Sequence, residues 1–146
     1  MAVTVDLTLL EGAYAVTLLP PDSAVPGWVG NAGIGAGTGS RTDTGAGFVN
    51  ISYCADELSI VTPADRVPDG IETDGGKTDK GWRALKLTGS FDFDEPGIVL
   101  SVVRPISEAG LAVFVVSTFH RDYLLVRSDS LEKIRALLQE AGHRWV

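Results

Sequence analysis

Leu111-Ala-Val-Phe-Val-Val-Ser-Thr-Phe119, followed through His120-Arg121-Asp122 by Tyr123-Leu-Leu-Val126, decides the fold. Two apolar runs joined by a short polar break describe a pair of strands. Hydrophobicity that is continuous rather than alternating predicts strands at the centre of a sheet. On the N-terminal side, Ile98, Val99, Val102, Val103, Ile106 and Ala109 recur at three- and four-residue spacing, which is the apolar stripe of a helix. Asp94 is the expected N-cap of that helix, Glu95 and Pro96 its first turn, and Gly110 its left-handed C-terminal cap. Pro105 is expected to kink the last turn. Before it, Trp82–Thr88 alternates with Leu85 and Leu87 on one face and reads as a strand. On the C-terminal side, Asp129 and Glu132 form a capping-box-like start, Leu131, Ile134, Leu137 and Leu138 share a face, and Gly142 closes the helix. Arg144-Trp145-Val146 adds an edge strand. The order β, α, β, β, α, β predicts an α+β, ferredoxin-like unit, an antiparallel sheet with two helices on one face.

The first half is less regular. Ala13–Leu19 reads as a buried strand ended by Pro20-Pro21, and Val25–Val29 as a short helical turn. Phe48–Tyr53 and Leu58–Thr62 suit a hairpin turning at Cys54-Ala-Asp-Glu57. Pro63–Lys80 is acidic and rich in glycine and proline, and reads as a linker. A shift of 65 residues places Phe48, Ser52, Glu57 and Ile60-Val61 on Val113, Ser117, Asp122 and Leu125-Val126, so the two hairpins resemble copies.

Composition narrows the partners. The chain has 146 residues, enough for one domain or two small repeats sharing a core, and needs no metal or disulfide staple. Its net charge is -7, with three basic and eleven acidic side chains in residues 1–79 against nine and eight in 80–146. An acidic surface without a basic stripe argues against nucleic acid and against an anionic membrane. A lone cysteine, Cys54, forms neither an internal disulfide nor a zinc site. The first twelve residues lack the basic start of a signal peptide, and no apolar run reaches the ~18 residues of a membrane span, so a cytoplasmic protein is expected.

Gly81-Trp-Arg-Ala-Leu-Lys-Leu, Phe91-Asp-Phe-Asp-Glu-Pro-Gly-Ile-Val99, Ile106-Ser-Glu-Ala-Gly-Leu111 and Phe114–Val126, with Asp56-Glu-Leu-Ser-Ile-Val61 in the first half, resemble the ACT domain family. Within it they are most similar to small bacterial tandem-ACT proteins and to the modules of the animal cytosolic arginine sensor. The resemblance implies two βαββαβ modules in tandem: an abbreviated one at 1–68 with a glycine-rich insertion at 27–47, a linker at 69–80, and a complete one at 81–146. It also implies a regulatory, non-catalytic protein without a cofactor, a homodimer that binds a small effector, an amino acid, where modules meet. A ligand-free module that regulates a partner enzyme or transcription factor is the alternative.

Carried over onto this sequence, the ligand positions are Glu95, Gly97, Ile98 and Val99 at the start of the helix, and Thr118, Phe119 and Asp122 at the hairpin. Their chemistry is suitable. Free N–H groups at a helix N-terminus suit a carboxylate, Asp122 and Glu95 suit an ammonium or guanidinium, and Phe119 offers an apolar or cation-stacking wall. Arg121 and Pro96 stand where the sensor has aromatic residues, so the resemblance carries no ligand identity.

Other patterns are weaker. Gly33, Gly35, Gly37 and Gly39 lack the spacing and the following Lys-Ser/Thr of a phosphate loop, and read as a surface loop. Ser117, His120 and Asp122 have the residue types of a nucleophilic triad but no nucleophile elbow. Asp92, Asp94, Glu95 and Asp122 lack calcium-loop spacing, and no metal site is expected. His143 is expected to complement a helix C-terminus and His120 to decorate a turn.

Overall fold

The computed structural model describes residues 3–29, 48–88 and 96–146. Those residues form β1 (Asp6–Leu9), β2 (Tyr14–Leu19), β3 (Asn50–Tyr53), β4 (Leu58–Pro63), β5 (Lys77–Thr88), α1 (Ile98–Glu108), β6 (Val113–Ser117), β7 (Asp122–Arg127), α2 (Leu131–Glu140) and β8 (Arg144–Trp145). Short 3-10 turns lie at Gly27–Val29, Ala64–Arg66, Ile71–Asp74 and Ser128–Ser130. The chain divides into two compact units: residues through Leu10 with Arg83–Val146, and Glu11–Trp82.

The unit containing the C-terminus is built as the sequence predicts, with one added strand. β7 pairs with β6 and with β5, β5 pairs antiparallel with β1, and β1 pairs parallel with β8. β1 therefore lies between the first and last strands of the βαββαβ order. Val5, Leu7 and Leu9 alternate with Asp6 and Thr8, and that period of two gives the strand one apolar face. Val5 and Leu7 are buried with Leu85, Leu87, Val102, Ile106, Leu124, Val126, Ile134 and Leu138 in a single cluster. Each such side chain contributes about 1.5–3 kcal/mol on burial.

The helices start differently from expectation. α1 begins at Ile98 behind Gly97, which is left-handed at φ 85°, a conformation that suits a residue without Cβ. Asp94, the expected cap, lies outside the described residues. The 3-10 turn Ser128–Ser130 leads into α2, and neither Ser130 nor the Asp129–Glu132 pair closes a side-chain cap at its first residue. Both C-termini agree with the sequence. Gly110 and Gly142 are left-handed, and the N–H groups of Leu111 and His143 donate to the carbonyls of Ile106 and Leu138.

Pro105 has a partner in this unit. It has no N–H to offer the carbonyl of Ser101, four residues earlier. His143 Nε2 bonds that carbonyl at 3.0 Å, and its Nδ1 accepts the Val5 N–H at 3.1 Å. These two bonds fix the imidazole as the Nε2–H tautomer. His143 is thus a buried link between β1 and α1, not a solvent-facing complement to a helix end.

In the other unit the sheet order is β3-β4-β2-β5, antiparallel throughout. The first strand of this set, β2, lies between the fourth and the third, as in a ferredoxin-like sheet. Its core is Ala15, Leu19, Val29, Leu58, Ile60, Ala64, Val67 and Ile71. Among its described residues there is no α-helix: the 3-10 turns at Ala64–Arg66 and Ile71–Asp74 fill the connection between β4 and β5. Most of the predicted 27–47 insertion lies outside the described residues, except Gly27–Val29, whose Val29 is buried.

The expected division at 1–68, 69–80 and 81–146 differs from this partition. Residues 69–80 are not a linker: Ile71 is buried in the core, and β5 begins at Lys77. A Cβ on Gly76 would meet Ile71 Cγ2 at 2.7 Å and Leu19 Cδ2 at 2.8 Å. Acidic, glycine-rich composition hid one apolar anchor and one close approach. The repeat also shifts. Cys54 N–H donates to Glu57 O and Thr118 N–H to Arg121 O, so the loops are Ala55-Asp56 and Phe119-His120, 64 residues apart (119 − 55) rather than 65. A slip of one residue matters because it exchanges the two faces of a strand.

Candidate functional site

α1 is where a helix offers donors to a ligand. Its first intrahelical bond runs from Ser101 N–H to Gly97 O at 3.0 Å, which leaves the N–H groups of Ile98, Val99 and Leu100 without an intrahelical acceptor. Gly97 has no side chain to cap them, and no acidic residue lies in the first turn. Such an end attracts a carboxylate through its N–H groups and the helix dipole. The Ile98 side chain belongs to the buried cluster. What it can give a ligand is its N–H.

The second group lies on the β6–β7 hairpin. Ser117 and Asp122 face each other across the strands, and Ser117 Oγ donates to Asp122 Oδ1 at 2.5 Å. The sequence reading set Ser117 apart from His120; its partner proves to be Asp122. That bond orients the carboxylate and leaves Oδ2 for a cation. Thr118 closes the turn, with Oγ1 donating to Arg121 O and accepting the Arg121 N–H. Arg121 Nη1 donates to His120 O at 2.9 Å. Phe119 is 74% exposed and meets His120 edge-on, with ring centroids 4.8 Å apart.

Chain direction brings the two groups to one end of the unit. β5 ends at Thr88, α1 starts after it and runs back, and β6 returns to the turn beside the same strand ends. Gly97, Ile98 and Val99 thus share an end with Thr118, Phe119 and Asp122. Glu95, the remaining predicted position, lies outside the described residues. No cluster of His, Cys, Asp and Glu suitable for a metal ion occurs among the described residues, and none of their helices is long and apolar enough to cross a membrane.

The other edge of the unit's sheet, where Asp6 lies beside Thr88, holds residues that the sequence reading missed. Arg144 grips Asp6 with two bonds of 2.8 and 2.9 Å, which holds the Asp6 carboxyl below the usual carboxylate range and raises the Arg144 guanidinium. Arg135 lies 4.5 Å over the Trp145 ring, and the indole N–H donates to Arg135 O at 3.3 Å. These contacts fasten β8 rather than form a site. The alternation of Val3, Val5, Leu7 and Leu9 was the available signal for β1, their common partner.

The family model described as the ACT domain matches residues 77–140, from the start of β5 through α2. A crystal structure of an Agrobacterium tumefaciens protein is 42% identical, covers 99% of this chain and 94% of its own, and superposes with a TM-score of 0.81. The human "Cytosolic arginine sensor for mTORC1 subunit 1" is 34% identical over 59 residues, 40% of this chain and 18% of the sensor. Its rat counterpart is 27% identical over 108 residues, 71% of this chain and 32% of the sensor, so this chain spans less than a third of those relatives. The regulatory subunit of aspartate kinase from Thermus thermophilus is 10% identical with a TM-score of 0.58 over 93% of this chain, a likeness of fold alone. With β5, α1, β6, β7 and α2 in the expected order inside the matched segment, and a relative alike over nearly its whole length, the chain belongs to the ACT domain family.

Proposed function

We propose that this protein is a non-catalytic, cytoplasmic regulator that works as a homodimer and binds an amino acid at the α1 and β6–β7 turn end of its C-terminal unit. The N–H groups of Ile98 and Val99, behind Gly97, take the carboxylate of the ligand. Asp122, oriented by Ser117, takes its ammonium or side-chain cation, assisted by Glu95. Thr118 shapes the turn and Phe119 forms the wall. The observation that carries this reading is a helix N-terminus that no side chain caps among the described residues, at the same end of one unit as an oriented, solvent-facing carboxylate. A zwitterion needs those two groups.

A thermal-shift panel of the twenty amino acids and the nucleobases at millimolar concentration tests it. A ligand present at about a hundred times its Kd stabilises by about 2.7 kcal/mol, which raises the melting temperature by roughly 5–10 °C at this chain length. Asp122→Asn should abolish the shift. No response to any compound would overturn the reading and favour a ligand-free interaction module, for which the exposed apolar side chains of β6 speak. In that case Asp122→Asn keeps its protein partner in a pull-down.

A further inference from the structure

Pro105 leaves α1 with a weak point one turn from the ligand donors. A proline inside a helix offers no N–H and presses its ring against the carbonyl four residues earlier, here that of Ser101. Ser101 is also the residue that closes the first turn. Its N–H donates to Gly97 O at 3.0 Å and its Oγ to Ile98 O at 2.7 Å. A helix carbonyl without a donor tilts toward water, and a residue that tilts carries its own N–H and Oγ with it. Loosening Ser101 thus turns the Ile98 and Val99 N–H groups off their line.

His143 holds that carbonyl. Its Nε2–H donates to Ser101 O at 3.0 Å from a ring that is only 3% exposed. The Val5 N–H, donating to Nδ1 at 3.1 Å, keeps that nitrogen an acceptor, so the ring proton sits on Nε2 and points at α1. A donor fixed from β1 therefore supplies what Pro105 withholds.

We propose that His143 is a positioning residue for amino-acid binding, acting through Ser101 to aim the Ile98 and Val99 N–H groups at the carboxylate. This role rests on the binding reading and adds the residue that sets its geometry. Two substitutions separate the bonds of the ring. The side-chain amide of glutamine reaches the position of Nε2, and that of asparagine the position of Nδ1. His143→Gln therefore keeps the Ser101 bond and gives up the Val5 bond, and His143→Asn does the reverse. Each loses one buried hydrogen bond, so a purely structural role predicts the same outcome for both.

Two measurements on the full chain test it: hydrogen exchange of the Ser101 amide by NMR, and titration by thermal shift with each of the twenty amino acids up to millimolar concentration. In His143→Asn, Ser101 exchange should quicken and the strongest amino-acid response should weaken about tenfold in affinity, the worth of one hydrogen bond. His143→Gln should stay near the unaltered chain in both. Adding Pro105→Ala to His143→Asn gives Ser101 O an intrahelical donor and should restore both. Equal responses in the two His143 variants, or a full response in His143→Asn, overturn the positioning role and leave amino-acid binding standing. No response of the unaltered chain to any amino acid overturns the binding reading and this role together. If His143→Asn does not fold, Ser101→Ala replaces it: loss of the Oγ bond to Ile98 O should weaken the same response, and a full response overturns the role.

Discussion

His143 shows how one side chain settles what two others leave open. Pro105 withdraws the donor for Ser101 O, and the Val5 N–H at the entry to β1 needs an acceptor; one imidazole meets both, at 3.0 and 3.1 Å. His143→Ala strands both partners, at about 1–3 kcal/mol for each buried group left unsatisfied. Pro105→Ala restores an N–H for Ser101 O. The loss on removing His143 should therefore be smaller in a Pro105→Ala background than in the natural chain, by about 1 kcal/mol, as measured by urea denaturation in a double-mutant cycle. Additive losses would contradict the assignment. Sequence alone placed His143 at the helix end but not inward, because its two partners come from residues 138 and 42 positions away.

Asp6 makes a different prediction at this scale. Its carboxyl titrates lower in the folded chain than in the unfolded one because Arg144 holds it. The stabilisation is complete above the ordinary carboxylate range and is lost as pH falls through the folded value. Asp6→Asn should remove that part of the acid sensitivity, seen as a flatter dependence of the urea midpoint between about pH 5 and pH 2. An unchanged slope would show that the pair contributes nothing to folding. Arg144 has the opposite sign, with its raised value lost only at strongly alkaline pH.

At the scale of elements, the C-terminal unit was legible because each of its pieces carries a local signal: the stripe of α1, the glycines at 110 and 142, and the leucine face of β5. What escaped was non-local. β1 comes from the other end of the chain and lies between β5 and β8, so the unit that seemed complete at 81–146 lacks a strand. A fragment of residues 81–146 should show no cooperative thermal transition by far-UV circular dichroism, because removing β1 leaves the inner edges of β5 and β8 unpaired and takes Val5 and Leu7 from the core. A sharp transition in the fragment would mean that β1 is dispensable. The continuous hydrophobicity of 111–119 misled in the other direction: it predicted a central strand, and among the described residues β6 pairs with β7 alone. The candidate site was legible only in part. Resemblance pointed to Asp122, whereas the Ser117 bond that orients it depends on hairpin register, and the core position of the Ile98 side chain depends on where α1 starts.

For the whole molecule, charge and fold point the same way. An acidic ACT protein with an oriented carboxylate at the same end of one unit as a helix N-terminus is suited to sensing a small zwitterion rather than to holding a polyanion. Native mass spectrometry of the freshly purified full chain, with and without millimolar amino acids, tests this most directly because one spectrum gives subunit number and bound mass. The expected result is a species of twice 15.4 kDa that gains the mass of one amino acid per subunit and loses that gain in Asp122→Asn. A spectrum in which no amino acid adds mass at any concentration would contradict amino-acid binding by this protein, whatever the subunit number.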